Sequence, residues 1–217
     1  MTTNRLYYIN ILVLFILFSP HNVLSAPPST FDIQGFRLGD SFSEVKHKFP
    51  CQNPKIKISK YNEKISSIHV ECDYEEDGLF TFLFGHDQKI QHVQKTFRFK
   101  YIEPDYDHIW GKIFSKYGTP KIRGEVQYKT KSDEEQHTMC WGACKLYDTE
   151  GNEYWTGSGV RHGDTGKSLM VKLSKNNGSF KAVFAISLFD ATADKEQVRW
   201  YDKMEDEMIK KKSDIEF

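Results

Sequence analysis

The chain has no excess of either sign of charge. Its 217 residues include 30 Lys and Arg and 30 Asp and Glu, so the formal net charge is zero. A nucleic-acid-binding domain usually presents a basic face, and a polybasic membrane anchor needs a cluster of Lys and Arg. The charge balance therefore argues against both classes, and we expect no nucleic-acid partner.

No apolar run is long enough to span a bilayer, since a helix needs about 20 residues to do so. The longest run is Leu6–Phe18, which follows Arg5 directly and leads to small residues that end at Ala26. This order is typical of a secretory signal peptide. We predict a signal peptide at residues 1–26 and a soluble, secreted or periplasmic protein with no integral membrane segment after cleavage.

Cysteine is scarce, with Cys51, Cys72, Cys140 and Cys144 as the four examples, and none lies near the new amino terminus to carry a lipid. An even number in an exported chain favours two disulfides over free thiols. Three pairings are possible. We predict Cys51 with Cys72 and Cys140 with Cys144, each within one half of the chain; the second bridge requires residues 141–143 to turn. Zinc is the alternative, but a close pair occurs only once, so we expect no metal.

Complete motifs of common enzymes are lacking. Gly163–Ser168 is similar to the end of a phosphate-binding loop but lacks its first glycine, and Thr156–Gly159 has threonine at the first glycine of G-x-S-x-G. The histidines form no H-E-x-x-H pair. We expect no cofactor and favour a non-catalytic protein. A secreted hydrolase that brings His and Asp or Glu side chains together across a sheet is the alternative.

Two segments each place a helix pattern before a group of alternating strands. In the first segment Ser41 and Glu44 form a capping box before the helix. In the second segment the helix begins after Asp105 and ends at Gly118. Its later strands are joined at Asn177–Gly178, which is a strong hairpin signal because both turn positions take positive φ.

We predict an α+β fold of two tandem helix-plus-antiparallel-sheet units with a C-terminal helix. The first unit spans residues 27–102 and the second spans residues 103–190. The C-terminal segment, residues 191–217, contains a helix from about Asp194 to Lys212, capped by Asp194 with Gln197.

Three motifs resemble those of small bacterial envelope modules. Phe36–Val45 is similar to their "LGMS-x-x-EV" opening, Phe82–Val93 to their hairpin, and Ser115–Pro120 to the "YG-x-P" stop after their helix. These modules include outer-membrane assembly lipoproteins of the SmpA/OmlA kind and the tandem-domain beta-lactamase inhibitor protein. The resemblance implies a helix-plus-antiparallel-sheet fold that binds proteins through its sheet.

Aromatic and basic side chains gather between Trp141 and His162, in a stretch whose pattern fits neither strand nor helix. Partner-binding surfaces concentrate aromatic residues and arginine. We therefore predict binding residues at Trp141, Tyr154, Trp155, Arg161 and His162. The alternative is that Trp141 and Trp155 cover the sheet edge as part of the core.

These observations favour an exported, non-catalytic binding module that acts on a protein or a cell-envelope component through its sheet face and this stretch. The secreted hydrolase remains the first alternative. A second alternative is an envelope-assembly accessory protein, which predicts co-purification with membranes although no lipid anchor is present.

Overall fold

An antiparallel sheet dominates the structure, a computed structural model that describes residues 30–74, 78–129, 134–150 and 154–213. Its strands are β1 (Lys55–Tyr61), β2 (Lys64–Tyr74), β3 (Gly78–Phe84), β4 (Ile90–Phe99), β5 (Ile122–Tyr128), β6 (Glu135–Gly142), β7 (Cys144–Asp148), β8 (Trp155–His162), β9 (Lys167–Lys175) and β10 (Ala182–Asp190). The helices are α1 (Phe42–Val45), continued by a 3₁₀ turn at Lys46–Lys48, α2 (Tyr106–Tyr117) and α3 (Ala191–Ser213). The strand order is β1-β2-β3-β4-β10-β9-β6-β5-β8-β7.

The predicted α+β fold of two tandem helix-plus-antiparallel-sheet units is wrong, because both halves of the chain share one sheet. β4, the last strand of the predicted first unit, pairs with β10 from Phe99 opposite Ala182 to His92 opposite Phe189. Without this pairing each strand would end its half of the sheet as an open edge, with unpaired backbone groups. The fold is therefore all-β-like, with helices added to one continuous antiparallel sheet.

One face of the sheet, which we call the aromatic face, buries the apolar positions of the alternating strands. Successive side chains of a strand point to opposite faces. On β3 the side chains of Phe80, Phe82 and Phe84 point to this face and are 0% exposed. Leu169 and Leu188 continue the same buried layer on β9 and β10. This face therefore forms the hydrophobic core.

Helix α1 packs on the aromatic face and begins at the predicted capping box. The Ser41 hydroxyl accepts a hydrogen bond from the backbone N–H of Glu44, whose carboxylate in turn accepts the backbone N–H of Ser41 at 3.0 Å. The ring of Phe42 then meets the ring of Phe84 edge-on, with 5.3 Å between centroids. The start of α1 and its packing against the core are thus both determined by residues 41–44.

Helix α2 packs on the same face and has the predicted bounds. The Asp105 carboxylate accepts the backbone N–H of His108 at 3.0 Å, and Gly118 ends the helix with a φ of 74°. The positive φ suits glycine, which lacks the Cβ that disfavours it. The ring of Trp110 contacts Phe184 of β10 edge-on at 6.2 Å, which holds the helix over the centre of the sheet.

The opposite face, which we call the histidine face, carries polar side chains that include His92 on β4. The sheet curls over this face at its β7 end. Cys140 of β6 and Cys144 of β7 lie 6.2 Å apart at their Cα atoms, although β5 and β8 separate these strands in the sheet. Three strand spacings in a flat sheet would place them about 14 Å apart. The predicted turn between them is present, with Gly142 at a φ of 86°.

Both predicted disulfide pairings are confirmed. Cys51 and Cys72 are bonded with 5.5 Å between their Cα atoms, and Cys140 is bonded to Cys144. Cys72 points to the aromatic face, because it lies opposite Phe80, so each face of the sheet carries one bridge. The four thiols are therefore not free to form the alternative zinc site.

Helix α3 begins at Ala191 because Asp190 caps it, and the predicted cap at Asp194 is wrong. The Asp190 carboxylate accepts the backbone N–H groups of the second and third residues that follow it, both at 3.1 Å. Gln197 is buried, and its side-chain oxygen accepts the backbone N–H of His86 at 2.8 Å. The helix is thereby fixed to the turn between β3 and β4.

None of the described helices has a stretch that is both long and apolar enough to cross a membrane. The predicted signal peptide, residues 1–26, lies outside the described residues. Disulfides persist mainly in oxidising compartments, so the two bridges are consistent with an extracellular location.

Candidate functional site

The stretch predicted to be irregular, residues 141–162, contains the whole of strands β7 and β8. Glycines in β8 allow close approach: a Cβ at Gly157 would lie 2.2 Å from the Glu125 carbonyl oxygen, and one at Gly159 would lie 2.0 Å from the Tyr147 ring. Strand pairing is therefore possible here only because these positions lack side chains. These glycines are what bring β8 against β5 and β7.

Two of the five predicted binding residues lie within the folded body. Trp141 is 0% exposed, and its indole N–H donates a hydrogen bond to the Gly118 carbonyl at 3.1 Å, as the core alternative expects. Trp155 is half-buried, with its ring 5.2 Å from that of Tyr128. Trp141 thus connects β6 to the end of α2, and Trp155 connects β8 to β5.

Three predicted residues remain closer to solvent. Tyr154 is 62% exposed and Arg161 is exposed, opposite Lys145 on β7. His162, at the end of β8, is half-buried and turns toward the histidine face. The structure thus places Trp141 in the core, Trp155, Arg161 and His162 on β8, and Tyr154 directly before that strand.

His162 contacts two serines across the curled sheet. Its Nδ1 lies 2.6 Å from the Ser168 hydroxyl of β9, and its Nε2 lies 3.3 Å from the Ser187 hydroxyl of β10. Ser168 is 0% exposed, so its hydroxyl is closed to a substrate in this conformation. This Ser-His-Ser cluster holds β8 over the sheet.

A second half-buried histidine, His92, lies close to this cluster. The rings of His92 and His162 both contact the ring of Phe189, at centroid distances of 6.0 and 5.0 Å. Burial lowers the pKa of His92 to about 4, with a smaller contribution from the charge of His69. Burial, followed by the charge of His92, likewise lowers the pKa of His162 to about 4. Both rings are therefore neutral at pH 7.

One group of three possible metal ligands lies on the aromatic-face side among the described residues: Glu125, Glu135 and His137. His137 Nε2 lies 3.2 Å from a Glu135 carboxylate oxygen. The Lys175 ammonium also bonds to Glu135 and is the main cause of the lowered pKa of this carboxyl group. A cation would have to displace Lys175, so ion pairing accounts for this group.

An apolar cavity of about 280 Å³ lies between α2 and the aromatic face. The sheet contributes Phe97, Phe184 and Ile186 to its walls, and α2 contributes Ile109 and Ile113. Protein interiors contain few voids larger than a water molecule, and a water molecule takes up about 30 Å³. This space could hold the apolar part of a small molecule.

The predictions from sequence missed this cavity because its walls come from four separate segments of the chain. The one available signal is Lys95, which occupies an apolar-face position between Val93 and Phe97 in the alternation of β4. Polar residues at such positions are unusual unless they have a partner or a role.

No match to this chain is found among models of protein families, among curated proteins or among solved structures. The resemblance to SmpA/OmlA-type lipoproteins and to the beta-lactamase inhibitor protein stays a prediction based on three short motifs. Function is therefore argued from the geometry of the sites above.

Proposed function

We propose that this protein is an exported, non-catalytic binding protein whose ligand is a small apolar molecule or an amphipathic component of the cell envelope. The observation that supports this proposal is the cavity beneath α2. Small-molecule sites are concave and mostly apolar, with a few polar groups that orient the ligand, and have volumes of about 300 to 1,000 Å³. The cavity has this chemistry, and its volume of about 280 Å³ lies just below this range.

Binding in the cavity gains free energy from the removal of apolar ligand surface from water. Each buried CH₂ group contributes about 0.8 kcal/mol. A chain of seven such groups therefore sets an upper limit of about 5.6 kcal/mol, which corresponds to a dissociation constant on the order of 0.1 mM. Ordering of the ligand weakens this value, so the test needs a method that detects millimolar affinities.

The test is titration of the protein with 1-octanol, a neutral probe, followed by calorimetry and by NMR of the methyl groups. We expect saturable binding with shifts at Ile109, Ile113 and Ile186. Ile113→Trp should fill the cavity and abolish binding, whereas Ser115→Trp, on the exposed side of α2, should leave it unchanged. Octanol binding that Ile113→Trp leaves intact would contradict the proposal.

The secreted hydrolase is less well supported by these sites. Among the described residues that line the cavity there is no histidine and no carboxylate that could act as a general base. The half-buried His162 contacts two serine hydroxyls, and one of these serines, Ser168, is fully buried. General acid–base catalysis requires such a group within hydrogen-bond reach of the substrate.

A protein partner at the β7–β8 hairpin is the second candidate, and exposed apolar side chains at the sheet edge favour it. Leu146 and Tyr154 are 56% and 62% exposed, and Tyr147 is 36% exposed. A double substitution of Tyr154 and Arg161 by alanine should abolish capture of a specific partner from envelope or culture fractions. The matched control is Lys203→Ala with Glu207→Ala on α3. Equal capture by both variants would contradict this candidate, and co-purification with membranes would favour an assembly accessory.

A further inference from the structure

β1 forms one edge of the sheet. Within the part of the chain that the structure describes, this strand pairs with β2 alone and ends the strand order on that side. An edge strand presents a row of unpaired backbone N–H and C=O groups, to which an extended peptide can add as a further strand. All seven residues of β1 pair with β2, so the edge is long enough for such an addition.

One side of this edge is apolar. Ile56 and Ile58 point to the aromatic face, because they lie opposite Val70 and Ile68, which are 0% and 1% exposed. The two edge residues are themselves 44% and 49% exposed. They therefore form an uncovered border of the hydrophobic core, and a strand added beside them would remove apolar surface from water.

The other side of the edge is basic. Lys55 and Lys57 are exposed and point to the histidine face, opposite Glu71 and His69 of β2. The Glu71 carboxylate lies 3.3 Å from His69 Nε2, so it is directed to a neighbour on its own strand. Lys60 adds a third exposed ammonium group to β1, whose sequence contains no acidic residue. The charge of this edge therefore favours an acidic partner.

The opposite edge of the sheet, β7, has a different charge pattern. Its one lysine, Lys145, bonds through its ammonium group to the Asp164 carboxylate, and the strand ends at Asp148. Positive charge is therefore concentrated at the β1 edge and not at the β7 edge.

The lysines of β1 also disfavour a second copy of this chain as the partner. Two β1 strands side by side would bring together two sets of three lysines, and like charges on neighbouring strands are destabilising. Lysine is one of the residues with which proteins protect edge strands from such self-association. The same lysines attract an acidic strand, so the edge distinguishes between the two kinds of partner by charge.

We propose that the β1 edge binds an extended segment of a partner protein in which acidic and apolar residues alternate. Successive side chains of such a strand point to opposite faces of the sheet. Its acidic side chains would lie beside Lys55 and Lys57, and its apolar side chains would cover Ile56 and Ile58. The described residues that line the cavity beneath α2 include none from β1, so this inference does not depend on the ligand proposed for the cavity.

The test uses two fluorescent peptides that are as long as β1 and have the same glutamate and valine content. The two residue types alternate in the first peptide and form two blocks in the second, so the peptides differ only in pattern. The wild-type protein should bind the alternating peptide at least about tenfold more tightly, as measured by fluorescence anisotropy at low ionic strength. Added salt should weaken this binding, because it screens exposed charges.

Reversal of charge at the edge tests the role of the lysines. Lys55→Glu with Lys57→Glu should weaken binding of the alternating peptide by about tenfold, because two attractive pairs between neighbouring strands become repulsive. The matched control is Lys121→Glu with Lys181→Glu, which changes the net charge equally at exposed positions before β5 and β10. This control should keep the affinity within about threefold.

Amide hydrogen exchange in the wild-type protein locates the peptide without any substitution. The bound peptide should slow exchange in β1 and leave exchange in β7 unchanged, because an added strand supplies hydrogen-bond partners only to the edge that it joins. The inference would be overturned by an absence of binding, by equal affinity for the two peptides, or by protection of β7 in place of β1. A dimer of the wild-type protein with β1 protected before peptide is added would identify a second copy as the partner and would overturn it as well.

Discussion

Adjacent residues of the same strands meet two different environments in this protein. On β10, Ile186 and Leu188 point to the aromatic face and pack in a core of phenylalanine and leucine, whereas Ser187, between them, points to the histidine face and approaches His162. The aromatic face is covered by α1 and α2, and the histidine face by the curled β7–β8 end of the sheet. The difference shows that a buried position on this sheet does not have to be apolar. A polar side chain is buried where a neighbouring strand supplies its hydrogen-bond partner.

The largest difference in stability should appear between alanine substitutions of two adjacent β3 residues that point to opposite faces of the sheet. Phe82→Ala should destabilise the protein by about 3 to 5 kcal/mol, because it leaves a cavity in the core. Leu83→Ala, on the histidine face, should reduce the free energy of unfolding by only about 1 kcal/mol. The measurement is urea unfolding with disulfides intact, with comparison of midpoints at equal m-values. Equal losses would contradict the assignment of the core to one face.

The two disulfides allow the faces to be compared through the unfolded chain. Replacement of Cys51 and Cys72 by alanine should reduce the free energy of unfolding by about 3 kcal/mol, and replacement of Cys140 and Cys144 by about 2 kcal/mol, because the second bridge closes a shorter loop. Urea unfolding of both double variants tests this order. A larger loss for the shorter loop would show that the curl of β7 over the histidine face contributes stability beyond loop closure.

Acid should destabilise the histidine face before the aromatic face. His92 and His162 titrate near 4 in the folded protein and near 6.5 when unfolded, so the unfolded chain binds protons first as pH falls. Stability is complete above about pH 6.5 and falls toward pH 4, by about 2 kcal/mol per histidine between pH 7 and 5.

The variant His162→Asn should remove its share of this loss, so the difference in unfolding free energy between pH 7 and 5 should shrink by about 2 kcal/mol. NMR titration of the imidazole rings in the wild-type protein provides an independent measurement. An unchanged difference between pH 7 and 5, or a His162 ring that titrates near 6.5, would contradict the neutral buried state.

The smallest effect concerns Lys172 on the histidine face, whose pKa is lowered by burial. Lys172→Met should stabilise the protein at pH 7 by less than about 1 kcal/mol. It should also remove a rise in stability at alkaline pH, which arises because the unfolded lysine keeps its proton to higher pH. Lys175→Met is the control of opposite sign, since Glu135 would lose its ammonium partner. A loss of stability in Lys172→Met would contradict the prediction.

Local signals in the sequence predicted local structure well. The capping box at Ser41, the bounds of α2 and both disulfides follow from side-chain chemistry within short distances along the chain. The predicted hairpin between β9 and β10 is also present. Its turn is longer than two residues, and Asn176 and Gly178, not Asn177, have positive φ. Such features depend little on the rest of the fold.

Features that depend on distant pairing were missed. β1 is an edge strand whose Ile56 and Ile58 are 44% and 49% exposed, so it carries no clear buried pattern. β8 is rich in glycine, and it pairs with β5 and β7 because its glycines leave room for the Glu125 carbonyl and the Tyr147 ring. The cavity joins residues far apart in the chain, and only the position of Lys95 in an apolar alternation hinted at it.

The pairing of β4 with β10 also constrains how the protein can be synthesised. β4 can form its hydrogen bonds to β10 only after β10 has been synthesised. Contacts between such distant segments form slowly, and unpaired strand edges invite aggregation in the meantime. Ribosome-bound chains that stop before residue 182 should therefore expose the unpaired edge of β4. They should bind a chaperone until β10 has been synthesised.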